Sequence, residues 1–304
     1  MASIHANPDF NAEELAQGLR KAMKGFGTNE KKIIEILTSC NNEQRQVLKK
    51  QFKTMYGRDL IDDLKSELGG NFEDAVIAFM MPPDEYDAHC LRHAMKGAGT
   101  DEKVIAEVLA MRSNDQIAAI REAYHRVYDR DLEKDVMSET SGHLKRIFVS
   151  LLQGNRDESE DVDEDRAQAD AQALYDAGEA KWGTDESEFM TSGIGQLRAV
   201  AEKYHTLVRA VEKEMSGDLE FAFKAVLLSA VDQPAFYAER LYKSMKGMGT
   251  DDETLIRCVV SRAETDMEQI KSQFVDKYGK KLVKMIKDDT GGDYERFLVA
   301  IVGE

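Results

Sequence analysis

The chain has only three cysteines, four prolines and one tryptophan among 304 residues. Cys40, Cys90 and Cys258 are too few and too scattered for a disulfide framework. They read as small buried hydrophobes in a reducing compartment. Long apolar runs are also lacking. The longest, Ala75 to Met81, cannot span a bilayer. Met1 to Phe10 has neither the basic start nor the apolar core of a signal peptide. The expectation is a soluble, cytoplasmic protein. No long basic run offsets a net charge of −16, so nucleic acid is excluded as a partner. Bare acidic membranes are disfavoured too, unless a cation bridges the two surfaces. Catalytic signatures are missing as well: no phosphate loop with its lysine and hydroxyl, no Gly-x-Ser-x-Gly, no His-Glu-x-x-His. No enzymatic activity is expected.

What is present is repetition. Lys24-Gly25-Phe26-Gly27-Thr28 returns as Lys96-Gly97-Ala98-Gly99-Thr100 and Lys246-Gly247-Met248-Gly249-Thr250. Aligned on Thr28, Thr100, Thr184 and Thr250, the chain divides into a tail (1–11) and four units, 12–80, 84–152, 165–230 and 235–302. The acid-rich stretch 153–164 reads as an exposed linker that splits the chain into two halves. Within the first unit, Leu15, Leu19, Ala22 and Met23 form one apolar stripe. Thr28 is placed to cap a second helix carrying Ile33, Ile34, Ile36 and Leu37. A third helix spans about Glu43 to Met55. A fourth runs from Leu60 to Glu67 and stops near Gly69-Gly70. A fifth carries Phe72, Ala75, Val76 and Phe79. Five helices per unit and no strand signal give an all-α chain.

Each intact loop is tied to a distant acid. Glu67, Glu139 and Asp289 all lie 42 positions after the first loop glycine (67−25, 139−97, 289−247). Glycines let a backbone turn with its carbonyls unobstructed, and carbonyl oxygens are hard ligands. Calcium takes six to eight oxygens, often with one bidentate carboxylate. The carbonyls of Met23, Gly25 and Gly27 with a bidentate Glu67 supply five, leaving room for water or a phosphate oxygen. No Cys/His cluster accompanies the loops, which argues against zinc. One carboxylate per site implies weak binding, toward ~10⁻⁴ M or weaker. An anionic leaflet at about −30 mV enriches a divalent ion roughly tenfold, and several weak sites on one body act together. An acidic protein can then dock on an acidic membrane with calcium between them.

These motifs resemble those of the annexin family. The specific elements are Met-Lys-Gly-x-Gly-Thr at Met23, Met95 and Met245, with the acids in Ser66-Glu67-Leu68-Gly69-Gly70, Ser138-Glu139-Thr140-Ser141-Gly142 and Asp289-Thr290-Gly291-Gly292. The resemblance covers about residues 12–302. It implies four five-helix repeats forming a curved disc, with calcium loops on the convex face that bind acidic phospholipids reversibly. The metal ligands it implies are Met23, Gly25, Gly27 and Glu67; Met95, Gly97, Gly99 and Glu139; and Met245, Gly247, Gly249 and Asp289. A weaker accessory site would use Thr28 and Glu30. Lys181-Trp182-Gly183-Thr184 resembles the family's third-repeat variant, for which Gly178, Lys181 and Gly183 with Glu214 are implied. Here the sequence departs: 214−181 is 33, nine short of the other units.

Other features are weighed beside these. Trp182 in the third loop suits a membrane interface or a partly buried core. His89 and His93 share a helical face, but no third metal ligand of suitable spacing joins them. Most methionines, such as Met80, Met81 and Met285, read as core filling. Arg112 and Arg262 are expected to bond helix carbonyls. The leading expectation is a calcium-dependent, phosphatidylserine-type membrane binder acting as a peripheral scaffold or cross-linker, with homo-oligomerisation on membranes. The alternative is a calcium-independent α-helical scaffold for proteins. A channel-like role, suggested for the family, has no separate support here.

Overall fold

The computed structural model describes residues 1–25, 27–156, 158, 211 and 215–303. Among these residues there are sixteen α-helices and no strand. The first unit contributes α1 (Ala12–Ala22), α2 (Glu30–Thr38), α3 (Asn42–Tyr56), α4 (Leu60–Glu67) and α5 (Gly70–Met80). The second contributes α6 (Pro83–Ala94), α7 (Glu102–Met111), α8 (Asn114–Tyr128), α9 (Leu132–Glu139) and α10 (Gly142–Leu152). One further helix, α11 (Gly217–Val231), precedes the last five. These are α12 (Gln233–Met245), α13 (Asp252–Arg262), α14 (Met267–Tyr278), α15 (Leu282–Asp289) and α16 (Gly292–Val302).

Local chemistry explains the boundaries. Asn41 and Gln44 form a reciprocal capping box at the start of α3, and Ser113 and Gln116 do the same for α8. Gly57 and Gly279 end α3 and α14 in the left-handed conformation, φ 65° and 64°. The Gly69-Gly70 pair serves differently from the expected helix stop. Leu68 already ends α4 in extended conformation, and Gly70, at φ 58°, opens α5. The glycine therefore reverses the chain between two helices that pack together. The expected capping role of Thr28 also needs correction. Asn29 caps α2, its side chain accepting from the Lys32 amide at 3.0 Å. Asp101 and Asp251 cap α7 and α13 in the same way.

The helices gather into two compact units, and not along the halves expected from the acidic linker. Residues Met1–Pro83 join Tyr237–Glu304 in one unit, and Asp84–Phe236 form the other. In the first, α16 packs on α2 and α5, and α13 packs on α5. Phe297 of α16 meets Phe72 and Phe79 edge-on at 5.8 and 5.5 Å. Each buried aromatic of this kind stabilises by about 1.5–3 kcal/mol relative to exposure. Arg45, 1% exposed, donates to the carbonyls of Cys40 and Phe79 and to Glu264 at 2.7 Å. The tail is tied to this unit as well: Ser3 Oγ donates to the Ile301 carbonyl at 2.7 Å. In the second unit, α7 packs on α10 and α11. Arg112 and Arg262 are given carboxylate partners, Asp87 at 2.6 Å and Asp266 at 2.7 Å.

Candidate metal centres in the interhelical loops

Three glycine loops join α1 to α2, α6 to α7 and α12 to α13. Each begins at a buried methionine (Met23 5%, Met95 3%, Met245 3% exposed) that anchors the loop base in the core. Each closes through one backbone bond spanning seven residues. Asn29 N donates to Ala22 O at 2.9 Å, Asp101 N to Ala94 O at 2.9 Å, and Asp251 N to Ser244 O at 2.8 Å. Between these clamps the backbone takes conformations open only to glycine: φ 125° and 87° at Gly25 and Gly27, 116° and 100° at Gly97 and Gly99, 132° and 89° at Gly247 and Gly249. No other atom stands within 4 Å of where a Cβ would sit on any of the six. Among the described residues, the carbonyls of Gly97, Gly99, Gly247 and Gly249 accept no backbone hydrogen bond.

The distant acids come to these loops. Thr28 Oγ1 donates to Glu67 Oε2 at 2.6 Å, and Thr250 Oγ1 to Asp289 Oδ2 at 2.6 Å. Thr100 Oγ1 reaches the Glu139 carbonyl at 3.2 Å and its Oε2 at 3.5 Å. The threonine–acid separation is 39 in all three units (67−28, 139−100, 289−250). This latch is what sequence reasoning missed. The signal was available in that constant offset, but a threonine before a helix reads first as a cap.

The acid-bearing helices are braced from below. Arg58 grips Asp63 at 2.6–2.9 Å, four residues before Glu67. Arg130 grips Asp135 at 2.6 Å through two nitrogens, four residues before Glu139, and Tyr124 Oη adds a bond at 2.7 Å. The hydrogen bonds from Arg130 hold the Asp135 carboxyl below its ordinary pKa, against the opposing effect of burial. The last unit has Met285 at this position and lacks the brace.

The donor set fits a hard, oxygen-seeking cation: free loop carbonyls, one carboxylate held beside them, and open space at each glycine. Among the described residues no three His, Cys, Asp or Glu side chains gather to hold a metal, so a cation here must draw on backbone carbonyls. Glu30 opens α2 two residues after Thr28, where the accessory pair was expected. At the loop tips, Ala98 is exposed and Met248 fully so. Phe26 and the whole third-repeat set, Gly178, Lys181, Trp182, Gly183 and Glu214, lie outside the described residues. His89 and His93 stack at 6.3 Å, with Tyr128 Oη 3.4 Å from His89 Nδ1.

Comparison with known proteins decides the family. The Annexin family model matches residues 14–79, 86–151 and 236–301. The chain is an annexin. It is 50% identical to human annexin A7 over 99% of its own length, although it spans only 64% of that longer relative. Human annexin A13 is 51% identical, with 96% of each chain covered. Among solved structures, annexin III superposes with a TM-score of 0.94 at 41% identity, covering 100% of this annexin and 97% of that chain. A chicken annexin V in complex with Zn2+ gives 0.94 at 47% identity, with 99% and 98% covered. A calcium-bound annexin (Sm)1 gives 0.87 at 33% identity, with 100% and 93% covered. The all-α fold and the repeats expected from the sequence are those of this family. Among the described residues no helix is long and apolar enough to cross a membrane.

Proposed function

We propose that this annexin binds acidic phospholipid membranes reversibly and only when calcium is present, and that it acts by binding and not by catalysis. The observation that carries the reading is the threonine latch, which holds Glu67 and Asp289 beside carbonyl-rich loops. In the first unit the carbonyls of Met23, Gly25 and Gly27 with Glu67 would hold one ion, and Thr28 with Glu30 a weaker second. In the second unit Met95, Gly97, Gly99 and Glu139 would do so, and in the last Met245, Gly247, Gly249 and Asp289. The bound cation would supply positive charge for a lipid phosphate oxygen at the remaining coordination positions. The chain's own contribution is placement. Threonines fix the carboxylates, buried methionines fix the loop bases, and the exposed Met248 offers an apolar tip to the lipid interface. The repeat boundaries 12–80, 84–152, 165–230 and 235–302 belong to this reading. So does a cytoplasmic protein that moves to membranes when calcium rises.

Co-sedimentation with phosphatidylserine vesicles tests it. Pelleting is expected with calcium and not with chelator. Equal pelleting in both would overturn the reading in favour of a calcium-independent scaffold.

A further inference from the structure

The first, second and last repeats place one stretch, positions 26 to 38 after the loop threonine, at the junctions α3–α4, α8–α9 and α14–α15. Its charge is not the same in all three. Residues 54–66 hold two cations and three acids, and residues 126–138 hold three and four, a net −1 in each. Residues 276–288 hold five lysines and two acids, a net +3. In a chain of net charge −16 this is a local reversal of sign. Lys277, Lys280, Lys281, Lys284 and Lys287 are all exposed.

Several of these lysines stand where the other repeats keep a stabilising contact. Arg58 grips Asp63 and Arg130 grips Asp135, at positions 30 and 35 after the threonine. The last repeat keeps the cation, as Lys280, and has Met285 in place of the acid. At position 31, Asp59 and Asp131 cap α4 and α9, accepting from the Ile61 amide at 2.9 Å and the Lys134 amide at 3.0 Å. Lys281 is the matching N-cap of α15 and makes no side-chain cap bond. A cation there opposes the helix dipole, and so does Lys284 where the first repeat has Asp62. Lys277 pairs with Glu239 at 2.8 Å. Among the described residues, Lys280, Lys281, Lys284 and Lys287 have neither an ion pair nor a side-chain hydrogen bond. Local stability is given up at three positions, and no contact of these side chains offsets it. Departures of this kind from local rules mark functional surfaces.

The strip runs to the metal loop. Lys281, Lys284 and Lys287 follow at three-residue spacing and are neighbours along α15. That helix is eight residues long, about 12 Å, and ends at Asp289, which Thr250 holds at 2.6 Å. An anionic surface that meets the loop therefore lies close to the lysines as well. Charge complementarity narrows its chemistry. A long polyanion would also meet the acidic remainder of the chain and be repelled. A compact group with several charges would touch the strip alone. Each phosphate monoester carries about −1.5 to −2 at pH 7, and lysine clusters of this size suit such headgroups. We propose that the α14–α15 lysine strip selects among anionic lipids, docking the last repeat on headgroups that carry more than one phosphate. This rests on the calcium reading above: the loops attach the chain, and the strip decides which headgroups gather beside its last repeat.

Sedimentation at one fixed calcium level tests it. Phosphatidylcholine vesicles carry either phosphatidylinositol bisphosphate or phosphatidylserine, at matched total charge. The bisphosphate vesicles should bind more tightly by roughly fivefold or more, the order of one lysine contact. Lys281→Gln with Lys284→Gln should bring the two affinities together. Lys50→Gln with Lys53→Gln removes the same charge from exposed positions on α3 and should leave the preference intact. Lys281→Asp restores the cap of the other repeats, so it should raise the melting temperature while reducing the preference. Equal affinities in the native chain, a preference that survives in the Lys281→Gln, Lys284→Gln chain or in Lys281→Asp, or an equal loss in the α3 control would each overturn the proposal. Failure of both vesicles to pellet with calcium is a distinct outcome. It would remove the calcium reading and this proposal with it.

Discussion

A single hydroxyl does more at each loop than its sequence position announces. Thr250 spends its proton on Asp289 and leaves helix capping to Asp251. The 42-residue offset between glycine and acid was legible because it repeats; the latch was not, because threonine serves as cap or donor with equal ease. Replacing Thr250 by valine keeps the shape and frees the carboxylate. A net hydrogen bond of about 0.5–1.5 kcal/mol corresponds to a two- to tenfold rise in the calcium needed for vesicle binding by the last repeat, measurable in a protein whose other sites carry Glu67→Gln and Glu139→Gln. The glycines permit a sharper prediction. Gly247 sits at φ 132° with no atom near its missing Cβ, so Gly247→Ala introduces backbone strain without a clash. A loss of about 1–2 kcal/mol is expected in urea unfolding, together with weaker calcium binding. Unchanged values for both would remove the backbone argument.

Helices with strong apolar stripes and capping residues were readable nearly to the residue. The fourth helix of the first unit runs from Leu60 to Glu67 as its pattern predicts. The turn after it was misread, since paired glycines mark a chain reversal without saying which helix they belong to. Charges between elements were less legible, because ion pairs link helices whose proximity the sequence does not state. Glu239 of α12 illustrates this. Burial opposes its charge, but Lys243 at 2.6 Å and Lys277 of α14 at 2.8 Å overcome that and hold its pKa at about 2. Because the folded value is depressed, the stabilisation is present above the unfolded pKa of ~4.3 and fades as pH falls toward 2. The urea midpoint of the native chain should therefore drop between pH 5 and 3 more steeply than that of Glu239→Gln. Parallel curves would count against the bridge.

At the level of the whole molecule, the repeats were visible and their partnership was not. Repeats of similar sequence do not say which of them pack together, and an acid-rich linker advertises a connection without revealing what it connects. The packing of Phe297 against Phe72 and Phe79 shows that the first and last repeats share a core. Membrane attachment through several weak sites multiplies their effects by effective concentration. Removing Glu67, Glu139 and Asp289 together, as Gln, Gln and Asn, should raise the calcium midpoint for vesicle binding by about the product of the three single changes. A triple change no larger than the largest single one would mean that the sites do not act together.

The compact unit built from both ends of the chain also sets an order of events during synthesis. Met1–Pro83 leaves the ribosome first, yet the helices that complete its core belong to Tyr237–Glu304. At ~5–20 residues per second, translating from Pro83 to Phe297 takes roughly 10–40 s. Throughout that interval the surface around Phe72 and Phe79 waits for Phe297. The second unit is continuous in sequence and is under no such delay, so a stalled or truncated nascent chain should display an uncovered aromatic face on its first repeat for chaperones to find.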